Sequence, residues 1–288
     1  MGFAHLQSFS KQNFEIHIVE KNKTKKIKFL KKKNFLIKNL HFFHKIPKNN
    51  KYLLAISATQ SRERYQLIKK LLISNKTKYL LLEKFCFLNL KDFRKFEEKF
   101  SHKTKVFVNS WAYIIAKKTK LKSKLDNFTL ECKVPEGSLL SNITHMLHIF
   151  SYLNKKQSIK KICNSKYSIT KSLKRKGYDE LIGEIKLKDT GHNILRIKTK
   201  KKMLDFMNIS ILQKKPKINY QILFKNNFMV YFIKNKKIIN KFKFPLSSKT
   251  SLVFLSHCLK KKFNYMPSFK IDYSLSRPLL EKYDIRIP

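Results

Sequence analysis

Three short apolar runs recur at intervals that a helix can fill: Lys51–Thr59 (KYLLAISAT), Lys78–Leu82 (KYLLL) and Lys105–Asn109 (KVFVN). Between the first two, Arg62–Ser74 puts Tyr65, Ile68, Leu71 and Leu72 on one helical face. Between the last two, Asn89 is placed to cap a helix over Leu90–Phe100. Strands that are apolar on both faces, alternating with amphipathic helices, imply parallel βαβ units in a sheet covered on both sides. Ligands of such sheets sit beyond the carboxyl ends of the strands. The middle run ends abruptly in Glu83-Lys84, so an acid and a base are expected at the mouth of that cleft.

Upstream, Phe3, Leu6 and Phe9 make Gly2–Gln12 read as a short amphipathic helix, and Glu15–Glu20 (EIHIVE) reads as a strand ending in an acid. Asn22 is a candidate cap for a lysine-rich helix reaching Phe35. After about residue 115 the pattern changes. Gly137–Leu153 opens with a loop and continues as a helix with a strongly apolar face. From Leu181 the chain reads as antiparallel hairpins: GEIKLK and ILRIKTK flank residues 189–191, and Tyr220–Phe224 and Phe228–Ile233 flank residues 225–227. A further strand lies near Ile238–Phe244, and a last helix covers Ser274–Tyr283. The expected architecture is α/β: residues 1–115 as a Rossmann-type, doubly wound parallel sheet, and residues 116–288 as an α+β domain on a largely antiparallel open sheet.

An apolar fraction of 42% marks a globular chain despite a formal charge of +47. That charge invites a polyanionic partner, but it is nearly all lysine. Arginine, the residue suited to bidentate phosphate and guanine contacts, occupies only seven positions. The lysines are also spread along the chain instead of gathered in an arm, so the charge reads mainly as a solvated surface and nucleic acid is not the expected partner. Cys86, Cys132, Cys163 and Cys258 form no CxxC or zinc spacing and read as reduced, mostly buried thiols. No apolar run approaches a membrane span, and the start lacks the signature of a signal peptide, so a cytoplasmic protein without membrane attachment is expected.

The order of motifs resembles the Gfo/Idh/MocA family of NAD(P)-dependent oxidoreductases over nearly the whole chain. Gly2-Phe3-Ala4-His5-Leu6 is similar to the tail of that family's dinucleotide fingerprint, with Gly2 at its third glycine. The resemblance implies that the first strand and first two glycines are missing from the chain as written. Glu20 falls at the family's ribose-binding acid, which favours NAD, with NADP admissible because Lys21 and Lys23 stand beside it. Ala58-Thr59 resembles the segment over which the nicotinamide half passes. Glu83-Lys84 matches the family's Glu-Lys-Pro motif, whose lysine would stabilise charge developing on a substrate oxygen. Phe85 stands where the proline belongs, so the turn that aims Lys84 is expected to differ. Asn109 ends its strand at another cofactor-lining position.

In the second half, Ser141-Asn142-Ile143-Thr144-His145 resembles the start of a helix that sets a histidine against the substrate hydroxyl. By this resemblance His145 is the general base, a role that imidazole suits, while Asn142 and His148 contact substrate. His148 replaces the usual acid. A metal is not expected, since the His145–His148 pair has no third ligand in sequence. Lys174–Tyr178 resembles a segment found before the hairpin sheet in relatives. The resemblance implies hydride transfer between a nicotinamide cofactor and a hydroxyl or keto group of a sugar, cyclitol or nucleotide sugar. A homo-oligomer is compatible with the sequence. The alternatives are a lapsed member that binds a sugar or partner without turnover and, on charge alone, a basic RNA-associated protein.

Overall fold

The computed structural model describes residues 2–9, 11–22, 24, 39–121, 125–154, 159–172, 178–201, 207–225 and 228–282. The helix expected after Asn22 and residues 174–177 lie outside them. α1 (Gly2–Phe9) leads into β1 (Ile16–Val19), which pairs in parallel with β2 (Leu40–Phe43). A second parallel sheet holds β3 (Lys51–Ser57), β4 (Lys76–Glu83) and β5 (Lys105–Asn109) in that order, with α2 (Ser61–Ser74) and α3 (Leu90–Phe100) between its strands.

β4 is the middle strand, and its side-chain period of two sorts it between two cores. Leu80 and Leu82 join Tyr65 and Ile68 of α2 and Phe93 and Phe96 of α3 on one face. Tyr79 and Leu81 join Phe9, Phe107 and Phe254 on the other. A strand buried on both sides needs a nearly unbroken apolar run, which is why the segment is legible in sequence. Its helix partner α3 starts where Asn89 accepts a hydrogen bond from the Asp92 amide at 2.8 Å.

α4 (Trp111–Thr119) follows β5 at once, and β6 (Phe128–Pro135) leads to α5 (Leu139–Leu153). Next come β7 (Ile159–Lys171), β8 (Asp179–Asp189), β9 (Ile194–Lys200), β10 (Asn208–Gln213), β11 (Ile218–Lys225), β12 (Met229–Lys234) and β13 (Lys237–Lys243). They form one eight-stranded sheet in the order β13-β12-β11-β10-β6-β9-β8-β7. Every neighbouring pair is antiparallel except β6–β9. The expected hairpins are present as β8–β9 and β11–β12. Asp189 closes the first by accepting from the amides of Gly191 and Asn193. α5 is buried nearly all round, between this sheet and the helices beside it.

The chain then returns. α6 (Ser247–Leu259) packs Phe254 and Leu255 under the parallel sheet, and α7 (Phe269–Lys282) stacks Phe269 on Phe93 at 5.5 Å. α7 begins five residues before the expected helix. The α/β architecture with a parallel sheet followed by a largely antiparallel one is therefore as the sequence implied, while β2, β6, β7, β10, α4 and α6 are additions to it.

Candidate functional site

The carboxyl ends of β4 and β5 meet the first turns of α5. Glu83, the last residue of β4, is buried, and its Oε1 accepts from His5 Nε2 at 2.7 Å and Asn109 Nδ2 at 2.8 Å. His5 Nδ1 lies 2.6 Å from Ser251 Oγ, so a chain of hydrogen bonds runs from α6 through α1 to β4 and β5. Burial alone would raise the Glu83 pKa. The hydrogen bonds from His5 and Asn109 and the nearby Arg64 charge outweigh it and hold the carboxyl below its usual range.

Arg64, which sequence reasoning passed over, organises the turn that follows. It is 3% exposed. Nη1 donates to the carbonyls of Glu83 (2.8 Å), Lys84 (3.3 Å), Phe85 (2.5 Å) and Cys86 (3.3 Å), and Nη2 donates to Thr59 O (2.5 Å). The carbonyls of residues 83–86 can converge on one guanidinium because Phe85 sits in the left-handed region at φ 53°. The available signal was an arginine three residues into an amphipathic helix, on its buried side. It was easily taken for a surface charge.

Lys84 reaches across to α5, where Nζ donates to the Ser141 carbonyl. One turn further along the same helix, His145 is buried with Nδ1 3.3 Å from Ser110 Oγ and its ring 4.5 Å from that of Trp111. Burial, and then the charges of Lys84 and His148, push the His145 pKa well below the usual imidazole value. The imidazole is therefore neutral across the neutral range. In the tautomer that donates Nδ1–H to Ser110, Nε2 is the proton acceptor.

The other sequence-derived residues fall in three places. Gly2 opens α1 beside Ala58: a Cβ at Gly2 would meet Ala58 Cβ at 3.7 Å, an ordinary contact. Ala58 and Thr59 follow β3, half-buried, with Thr59 Oγ1 3.0 Å from Ser57 Oγ. Glu20 follows β1, where its carboxylate accepts from the Asn22 amide at 3.0 Å. Asn142 Nδ2 donates to Ser138 O at 2.8 Å, back along its own helix. His148 is fully buried, with Nε2 3.0 Å from Asp272 Oδ1 of α7, a close pair without hydrogen-bond alignment. Among the described residues no three His, Cys, Asp or Glu side chains converge as a metal site. No helix among them is long and apolar enough to cross a membrane.

No known family's sequence profile matches the chain, and neither does any curated protein. Solved structures do match it. The transcriptional regulator Gal80p from Kluyveromyces lactis superposes with a TM-score of 0.66 at 15% identity, over 98% of this chain and 86% of its own. Biliverdin reductase from Synechocystis sp. PCC 6803, solved with biliverdin and NADP+, gives 0.67 at 9%, over 98% and 94%. A Gfo/Idh/MocA family oxidoreductase from Vibrio cholerae gives 0.61 at 8%, over 96% and 92%. The fold is that of the Gfo/Idh/MocA oxidoreductases. Within that fold the turn after β4 departs from the motif noted in sequence, because the φ of Phe85 is one that proline, locked near −65°, cannot adopt.

Proposed function

We propose that this chain is an NAD(P)-dependent oxidoreductase acting on a hydroxyl or keto group of a sugar, cyclitol or nucleotide sugar, and that its two halves divide near residue 115. The observation that carries the reading is the meeting of Lys84 and His145. They lie far apart in sequence, yet the Lys84 ammonium touches the helical turn that bears His145 and bears electrostatically on its imidazole.

The donor chemistry fits a dinucleotide. The first-turn amides of α1 lack intrahelical acceptors and favour an anion. Glu20 offers a carboxylate to a ribose hydroxyl, and Ala58-Thr59, Glu83 and Asn109 line the way toward Lys84. A bound nicotinamide would supply the hydride chemistry. On the protein's side, His145 Nε2 takes the hydroxyl proton, Ser110 holds the tautomer through Nδ1, and Lys84 Nζ stabilises the oxygen as it gains charge. To do so, Lys84 must release the Ser141 carbonyl. Asn142, one position beyond that carbonyl, would orient the substrate on leaving its bond to Ser138 O.

The test is a screen of the protein against sugars and nucleotide sugars, following NADH absorbance. His145→Asn and Lys84→Ala should each lower turnover by roughly a hundred- to ten-thousandfold with little change in cofactor affinity. Undiminished activity in both variants would remove these residues from the mechanism.

A second reading is a binding protein without turnover. Two observations favour it: the Lys84 ammonium is already engaged by Ser141, and the depressed His145 pKa weakens it as a base. That a transcriptional regulator shares the fold supports it as well. NAD(H) binding with no activity on any substrate would select this reading.

A further inference from the structure

Trp111 is the chain's one tryptophan and has no part in the chemistry assigned to Lys84 and His145. It opens α4 at the carboxyl end of the parallel sheet, two residues after Asn109 ends β5. Its ring lies 4.5 Å from that of His145, tilted by 45°. The antiparallel sheet backs it: Phe224 of β11 meets the indole edge-on at 5.8 Å, and Phe244, just after β13, lies at 5.2 Å. His145 itself is only 4% exposed. A base buried this deeply is reached only if something beside it moves. Of the four groups that bear on the imidazole, Ser110 and His148 are buried outright, while Lys84 and Trp111 are half-buried. The way in to His145 therefore lies between the ammonium and the indole.

We propose that Trp111 covers His145 until a substrate enters, and then holds the substrate's ring against its indole face. This deepens the oxidoreductase reading and rests on it for the nature of the substrate. The faces of a sugar or cyclitol ring carry C–H groups, and its hydroxyls point outward round the rim. The electron-rich face of an indole suits such a surface. Small-ligand sites are commonly walled by aromatic rings, with a few polar groups to fix orientation. Here the indole supplies the wall, and a rim hydroxyl is left for His145 Nε2 and Lys84 Nζ. Trp111 is thus the residue that selects for a ring.

Two measurements on the full chain test it. The first needs no substrate: modification by diethyl pyrocarbonate, resolved by peptide mass, reads the access to each histidine. Trp111→Ala should lose the protection of His145 while His148, fully buried, stays protected. Trp111→Leu, which keeps apolar bulk against Phe224 and Phe244, repeats the comparison should the alanine variant expose His148 as well. His145 still protected in a variant that protects His148 would overturn the cover. The second follows the indole emission, which reports this position alone, as a sugar turned over in the NADH screen is added. The emission should change on binding. Trp111→Leu should raise KM about three- to tenfold, the worth of one aromatic contact, with kcat changed by less than about twofold. Trp111→Phe, which keeps a ring, should restore most of the loss. A silent indole or an unchanged KM with a sugar that is turned over would overturn the stacking. No turnover of any substrate would fail the oxidoreductase reading and the stacking with it, while the histidine modification would still decide the cover.

Discussion

Arg64 carries more of the candidate site than any residue that was nominated from sequence. Its guanidinium supplies donors to five carbonyls that are otherwise buried at the end of β4 and after β3. Methionine at this position would fill much of the volume and supply no donor. Arg64→Met should cost about 3–5 kcal/mol, the usual penalty for stripping a buried charged donor from its acceptors. Arg64→Lys, with fewer donors and no planar fork, should fall between. Urea midpoints at unchanged slope measure both. A loss under about 1 kcal/mol would mean the turn holds itself.

His145 makes a second prediction at this scale. Its folded pKa lies below the ordinary 6.5 because burial disfavours the cation. Below that ordinary value the unfolded chain takes up a proton that the folded chain refuses, so stability falls as pH drops under 6.5. Glu83, held below 4.5 by its partners, adds a loss in the same direction at lower pH, as the pH passes through its depressed value. The melting temperature should fall from pH 7 to pH 5, and His145→Asn should flatten that slope. An equal slope in the variant would show that the imidazole titrates normally in the folded protein.

Among the elements, the turn after β4 is the place where the fold and its usual sequence part company. Proline at position 85 would match the familiar motif, yet the observed φ of 53° forbids it. Phe85 is also buried in the core beneath α5. Phe85→Pro should therefore destabilise by about 3 kcal/mol or more, read as lost soluble yield or a lowered melting temperature. A neutral result would show that the turn can adopt a second conformation. The β7–β8 pairing is constrained just as sharply. Gly183 has φ 128°, and a Cβ there would stand 2.2 Å from the Lys166 carbonyl oxygen. Gly183→Ala should open this edge of the eight-stranded sheet, with faster amide exchange in β7 and β8 than in β9–β11.

For the whole molecule the dominant fact is the charge of +47. Self-repulsion of that size opposes compaction, and among the described residues only a few lysines are relieved by carboxylates, such as Lys171 by Asp179 and Lys198 by Glu184. Added salt screens the repulsion within a Debye length of roughly 10 Å at 0.1 M. The melting temperature should rise between low and moderate ionic strength, with chloride and sulfate both effective. A fall would show that local ion pairs outweigh the net charge. The two sheets meet through α5 and α7, where His148 faces Asp272 in full burial. This pair joins the middle of the chain to its end.

Residue order alone determined the strand–helix alternation from Lys51 to Asn109, the Asn89 cap, the hairpins after Leu181 and the placement of Glu83-Lys84 at a strand end. Each is written in a local period or a short turn signal, which needs no knowledge of distant contacts. β6 was equally local, with Phe128, Leu130, Cys132 and Val134 facing inward, but Glu131 and Lys133 on its outer face blurred the run. Only the tertiary structure decided the partners. His5 on Glu83, Arg64 under the turn, Ser110 on His145 and Asp272 on His148 join elements that are tens to hundreds of residues apart. A buried polar side chain takes whichever partner the packing brings within about 3 Å. That choice belongs to the assembled fold, because no window of sequence contains both halves of the pair.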